Sequence, residues 1–161
     1  MAFVAMAVCM VSACAQSPGP VAAPSTSPAE TTAAVAAFAG RWAYAQSCGW
    51  QHSAHLELKT TAEGIRGTWS DGTRVRGEAG ELSGEYRDGK IFLRFCRDDV
   101  AENDPEACPN YRVEDAYVVR EAGNLIWYRA SGADSYRRYL EMHPVIAGQD
   151  IPKDNHCPEE D

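Results

Sequence analysis

No apolar run in the 161-residue chain is long enough to cross a bilayer as a helix; the longest, Ala2 to Val11, has ten residues, about half of what that needs. Basic residues are scarce, with 15 Lys and Arg against 23 Asp and Glu and a net charge of -8. Bulk electrostatic binding to a phosphate backbone or an anionic bilayer is therefore disfavoured, and no nucleic-acid partner is expected. The chain has no Cys-x-x-Cys pair, glycine-rich phosphate loop, Ser-His-Asp order or paired-acid motif. No cofactor is expected, and catalysis has no motif behind it. Sustained helical periodicity is missing after Gly40, which turns the fold reading away from a bundle.

The ten-residue run has the length of a signal-peptide core. It ends in Val11-Ser12-Ala13-Cys14, and small residues directly before a cysteine resemble the lipobox of bacterial lipoproteins. The resemblance implies cleavage after Ala13, diacylation of Cys14 with chains such as palmitate, and a membrane lipid anchor. Ala15 in place of an aspartate implies, by the enteric pattern, outer-membrane placement, periplasm-facing or surface-exposed. The alternative is an ordinary secretory signal cleaved near Ala13 or Ala15, leaving a periplasmic protein. No Lys or Arg precedes the run, so its positive segment rests on the initiator amine, or the true start lies upstream.

Three segments are expected: a signal over 1–13, a tethered cysteine with a linker over 14–37, and a folded domain over 38–161. The linker carries Pro18, Pro20, Pro24 and Pro28, one charge at Glu30 and little to bury, so its ordering entropy has no offset. The alternative there is an alanine-favoured helix over Thr31 to Phe38 docked on the domain.

Past Gly40 lie all four tryptophans, all seven tyrosines, all 15 basic residues and 22 of the 23 acids. Nine short runs of β character follow one another there, including residues 73–79 and 82–86, separated by turn residues. Asp71-Gly72 and Asp88-Gly89 read as two-residue hairpin turns, with Glu63-Gly64 and Gly123-Asn124 as weaker versions. Alternation places Ala54, Leu56 and Leu58 on one face, and His55, Glu57 and Lys59 on the other. The expected fold is all-β: an antiparallel up-and-down meander of eight or nine strands, closed into a small barrel or strongly curled sheet so that no edge stays open.

Gly40-Arg41-Trp42 opening the first strand, with the glycine-rich hairpins Gly67-Thr68-Trp69 and Gly84-Glu85-Tyr86, resembles the calycin-type barrels, the lipocalin and avidin families. The resemblance implies a barrel mouth that takes a small apolar ligand, with Trp42, Tyr44, Trp69 and Tyr86 as lining candidates. The same rings read first as core aromatics plugging a barrel of this size, and that reading is preferred. Arg138, if it points inward with Tyr136, would bind an anionic head group.

Cys48, Cys96, Cys108 and Cys157 form an even set, as expected of an exported chain. Three pairings are open, of which Cys96 with Cys108 and Cys48 with Cys157 is preferred. The loop between the first two holds Asp98, Asp99, Glu102, Asp104 and Glu106. It lacks the order of a calcium hand and reads as a solvated acidic surface suited to a basic protein partner. His52 and His55 are an odd number apart, so a regular strand sends them to opposite faces.

The expected function is a non-catalytic envelope lipoprotein that binds a protein or another envelope component. A small-ligand carrier and an envelope hydrolase are the alternatives, and a cleft gathering His52 with carboxylates would favour the hydrolase. The design also resembles, by class and not by motif, the small β-barrel lipoproteins that inhibit lysozyme.

Overall fold

The computed structural model describes residues 28–132 and 135–156. The signal, Cys14, the linker before Pro28 and Cys157 lie outside them. One helix, α1 (Pro28–Ala36), precedes nine strands: β1 (Gly40–Gln46), β2 (Ser53–Thr61), β3 (Gly64–Gly72), β4 (Gly77–Arg87), β5 (Lys90–Phe95), β6 (Ala116–Glu121), β7 (Asn124–Gly132), β8 (Ser135–Pro144) and β9 (Lys153–Asp154). Strands β1 to β8 pair antiparallel in chain order, and β8 returns to β1 through Ala43 with His143 and Trp42 with Pro144. The result is a closed eight-stranded meander barrel, with β9 added parallel to β1 at Ala45 and Gln46.

Sequence alternation sets the inward face. Leu56 and Leu58 on β2, Ile65 and Trp69 on β3, Leu82 on β4, Ile91, Leu93 and Phe95 on β5, Val118 on β6, Leu125 and Trp127 on β7, and Leu140 and Met142 on β8 are all buried in one cluster. Burying a side chain of this kind contributes roughly 1.5 to 3 kcal/mol. Gly80 allows the wall to close, because a Cβ there would collide with the Cys96 carbonyl oxygen.

The hairpins explain where the run count changes. Asp88 (φ 51°) and Gly89 (φ 77°) form the two-residue turn between Arg87 and Lys90, as a type I′ hairpin requires. Asp71-Gly72 is not a turn. Strand β3 continues through both residues, Gly72 pairs with Gly77, and the chain reverses over 73–76, where the Arg76 carbonyl accepts from the Thr73 amide at 2.7 Å. The runs at 73–79 and 82–86 therefore resolve into that turn and the single strand β4.

The chain expected to be linker up to Ala37 is helical from Pro28 to Ala36. Proline suits the first helical position and the alanines favour helix, but an isolated nine-residue helix is marginal. Docking supplies the rest: Val35 is buried, and Phe38 enters the core with its ring 6.2 Å from Tyr86. Arg120 lies over the Trp42 ring at 4.3 Å and donates to the carbonyls of Ala37 and Gly123, while the Trp42 indole N–H donates to the Phe38 carbonyl at 3.0 Å. This end of the barrel is shut.

Candidate functional site

The opposite end is open. It holds a depression of about 780 Å³ lined by Trp50, His52, Asp71, Arg76, Arg129 and Tyr139, among others. Alternation delivers Asp71 on β3, two positions after Trp69, and Arg129 on β7, two after Trp127, while His52 stands just ahead of β2, two positions before the inward Ala54. Tyr139 arrives by an irregularity. Trp127 pairs with Leu140 and Tyr128 with Arg138, so Tyr139 is an extra residue in a β-bulge, a device that re-aims a side chain.

Asp71 is the centre of the cluster, with a side chain only 8% exposed. The His52 Nε2–H donates to its Oδ1 at 2.6 Å, the Tyr139 hydroxyl donates to Oδ2 at 2.7 Å, and an Arg129 guanidinium nitrogen stands 3.2 Å from Oδ2. Burial alone would raise the Asp71 carboxyl, but the hydrogen bonds from His52 and Tyr139 and the Arg129 charge outweigh it and hold the group below the usual carboxylate range. Burial and the bond to Asp71 push the Tyr139 phenol far above its ordinary value. The Arg129 guanidinium is wedged 4.7 Å from the Tyr139 ring and 5.1 Å from Trp127. Beside them, burial and Asp154 push the Tyr44 phenol up to about 12, its hydroxyl donating to Asp154 on β9 at 2.9 Å.

The cleft does gather His52 with a carboxylate, but both Asp71 oxygens are engaged, Tyr139 stays protonated, and no serine hydroxyl bonds the His52 ring among the described residues. A nucleophile with its base, the feature acyl-transfer chemistry needs, is not assembled from them.

Beneath the cluster the barrel is filled. Trp69 packs on Phe95 at 4.9 Å, Phe95 on Trp127 at 5.7 Å, and Trp127 on Tyr139 at 5.4 Å between ring centroids. Of the lining candidates read from the sequence, Trp42, Tyr44 and Trp69 are buried in this core and Tyr86 packs against it. Arg138 is the correction. It is exposed on the outer side of β8 and ion-paired with Glu141 at 2.7 Å, because the bulge at Tyr139 separates it from the inward register. The inward arginine is Arg129.

The loop after β5 is closed by the Cys96–Cys108 disulfide. Cys48 is also disulfide-bonded; its expected partner, Cys157, lies outside the described residues. Within the loop, Asp99 takes a two-pronged bond from Arg97, Glu106 faces Arg97 and Arg112, and Asp104 accepts the Glu106 amide. Those three acids fasten the loop. Asp98 and Glu102 are exposed. The one group of three possible metal ligands found among the described residues is Glu81, Cys96 and Cys108, whose sulfurs are already joined to each other.

Comparison of the chain with protein-family models, curated proteins and solved structures gave no match. The functional reading therefore rests on the site alone.

Sequence reasoning missed Asp71, Tyr139 and Arg129. The first was hidden in an apparent turn dipeptide and the second by a bulge that breaks strand parity. The signal that could have found Arg129 was available: it shares its parity with Leu125 and Trp127.

Proposed function

We propose that the protein is a non-catalytic binding module of the bacterial envelope, tethered through Cys14, that meets its target at the open end of the barrel. The observation that carries this reading is the filled interior: the Trp69, Phe95 and Trp127 rings occupy the cross-section where an internal ligand would sit. What remains is an open depression with a rigid polar floor. Rigid floors suit recognition, because a preorganised site loses little entropy on binding.

Three exposed apolar side chains stand on the loops at this end: Trp50 (65% exposed), Val75 (66%) and Val113 (82%). A backbone hydrogen bond from Arg74 to the Trp50 carbonyl, 3.0 Å, fastens the loop bearing Trp50 to the turn bearing Val75. Exposed apolar residues beside a polar cluster mark a contact surface.

Site-specific photocrosslinking in the intact envelope tests the proposal. Probes at positions 50 and 75 should yield adducts, and probes at positions 62 and 88, in hairpins at the shut end, should not. Adducts chiefly from 62 and 88 would reject the open end as the binding face.

A further inference from the structure

We infer that the target presents an anionic group, a carboxylate or phosphate next to a ring or apolar body, to the open mouth. This rests on the proposed binding face and deepens it. The mouth is lined by Arg76, Arg97 and Arg129 with Asp71 and Glu78; Arg97 is taken up by Asp99 and Glu78 and Arg129 stands on Asp71, which leaves Arg76 as the lining cation without an ion pair among the described residues. In the cleft between β8 and β9, by contrast, Arg138 and Lys153 are matched by Glu141 and Asp154.

The acceptors in the mouth are already used. Asp71 takes His52, Tyr139 and Arg129, and Glu78 faces Arg97 at 3.5 Å. The donors are not. Arg76 is exposed and has no ion pair among the described residues, although its backbone is pinned by Thr73. Arg129 offers five N–H groups, and its carboxylate contact is to the single Oδ2 of Asp71. Surplus donors of this kind fit a ligand rich in acceptors, and guanidinium matches carboxylate and phosphate geometry with two parallel bonds. Trp50 on the rim supplies a face for the ring or apolar portion. The general negative charge does not prevent this, since charges beyond about 8 Å are largely screened at physiological salt.

Trp50 also supplies the readout, because Trp42, Trp69 and Trp127 are at most 3% exposed and a change in exposed tryptophan emission reports Trp50. The full chain is titrated with phenyl phosphate, phenylacetate, inorganic phosphate and phenethylamine, following Trp50 emission and the arginine side-chain resonances. Both aromatic anions should shift Trp50 and Arg129, inorganic phosphate more weakly, and the amine not at all. Arg76→Gln, a change on the exposed rim, should weaken the anions about tenfold with the fold unchanged, and Arg129→Lys at least as much. Vesicles of phosphatidylglycerol and of phosphatidylcholine then separate the sources: retention on the anionic vesicles assigns a lipid head group, and binding of soluble anions alone assigns a free one. Amine binding equal to anion binding, anion affinity unmoved by either variant, or no anion binding at millimolar concentration would overturn the inference. If crosslinks at positions 50 and 75 persist in that case, the binding face stands and its target is of another chemistry.

Discussion

Tyr139 and Asp71, 68 positions apart in the chain, meet inside the barrel mouth with the hydroxyl donating to Oδ2 at 2.7 Å. The contact exists because β8 carries one residue more than β7 opposite it, which turns Tyr139 toward a carboxylate on the far wall. It locks both groups: Asp71 stays ionised and Tyr139 stays protonated across the physiological range.

Replacing Asp71 with Asn keeps the shape and removes the charge that Arg129 faces. The cost should be about 2 to 4 kcal/mol in urea unfolding at pH 7, as for a buried pair that loses one partner. Because the folded carboxyl lies below its ordinary 3.8, its stabilisation is complete above that value and is lost as pH falls through the folded value. The gap between wild type and Asp71→Asn should therefore close in strong acid. A gap that persists there would mean that Asp71 acts through packing and not through charge.

Alkali should act through Tyr44. Its phenol is raised from 10.0 to about 12 by burial and by Asp154, so the folded state holds the proton longer than the unfolded chain. Stability is intact below pH 10 and falls as pH rises toward 12, by on the order of 2 kcal/mol from this group. Tyr139, raised further still, loses stability over the same range, so Tyr44→Phe should remove part of that limb and leave the part due to Tyr139 in denaturant melts taken from pH 9 to 12.

The filled core predicts a created cavity. Trp127→Ala should cost about 3 to 5 kcal/mol and leave an apolar void that takes up benzene or xenon, while the wild type takes up neither. Thermal shifts in the presence of benzene would distinguish the two.

Removing Cys96 and Cys108 together, as serines, should cost about 2 to 4 kcal/mol, since the bridge closes a short loop in the unfolded chain. Limited proteolysis should then cut between residues 97 and 107 first. Arg97, through Asp99 and Glu106, would still hold part of the loop.

The barrel was legible in the sequence because strand parity and hairpin chemistry are local signals: Leu56 with Leu58, and Asp88 with Gly89, needed no tertiary knowledge. The site was less legible because two of its members depend on non-local facts. Asp71-Gly72 has the composition of a turn, and strand β3 absorbs it because His52, Tyr139 and Arg129 satisfy the carboxylate inside. Parity counted along β8 gives no sign of the bulge at Tyr139, which leaves Arg138 outward and Arg129 as the inward cation. Helix α1 depends on Phe38 and Arg120 docking it, a contact spanning more than 80 residues.

Native mass spectrometry of the full chain, purified without reductant, as wild type and as Arg76→Gln, separates a filled barrel from an occupied one. The expected species is the polypeptide with its disulfides, any covalent lipid, and no apolar molecule retained inside, with any retained anion lost in the variant. An apolar molecule held equally by both proteins would contradict the filled barrel, because the ligand would then lie within the barrel and not at its mouth.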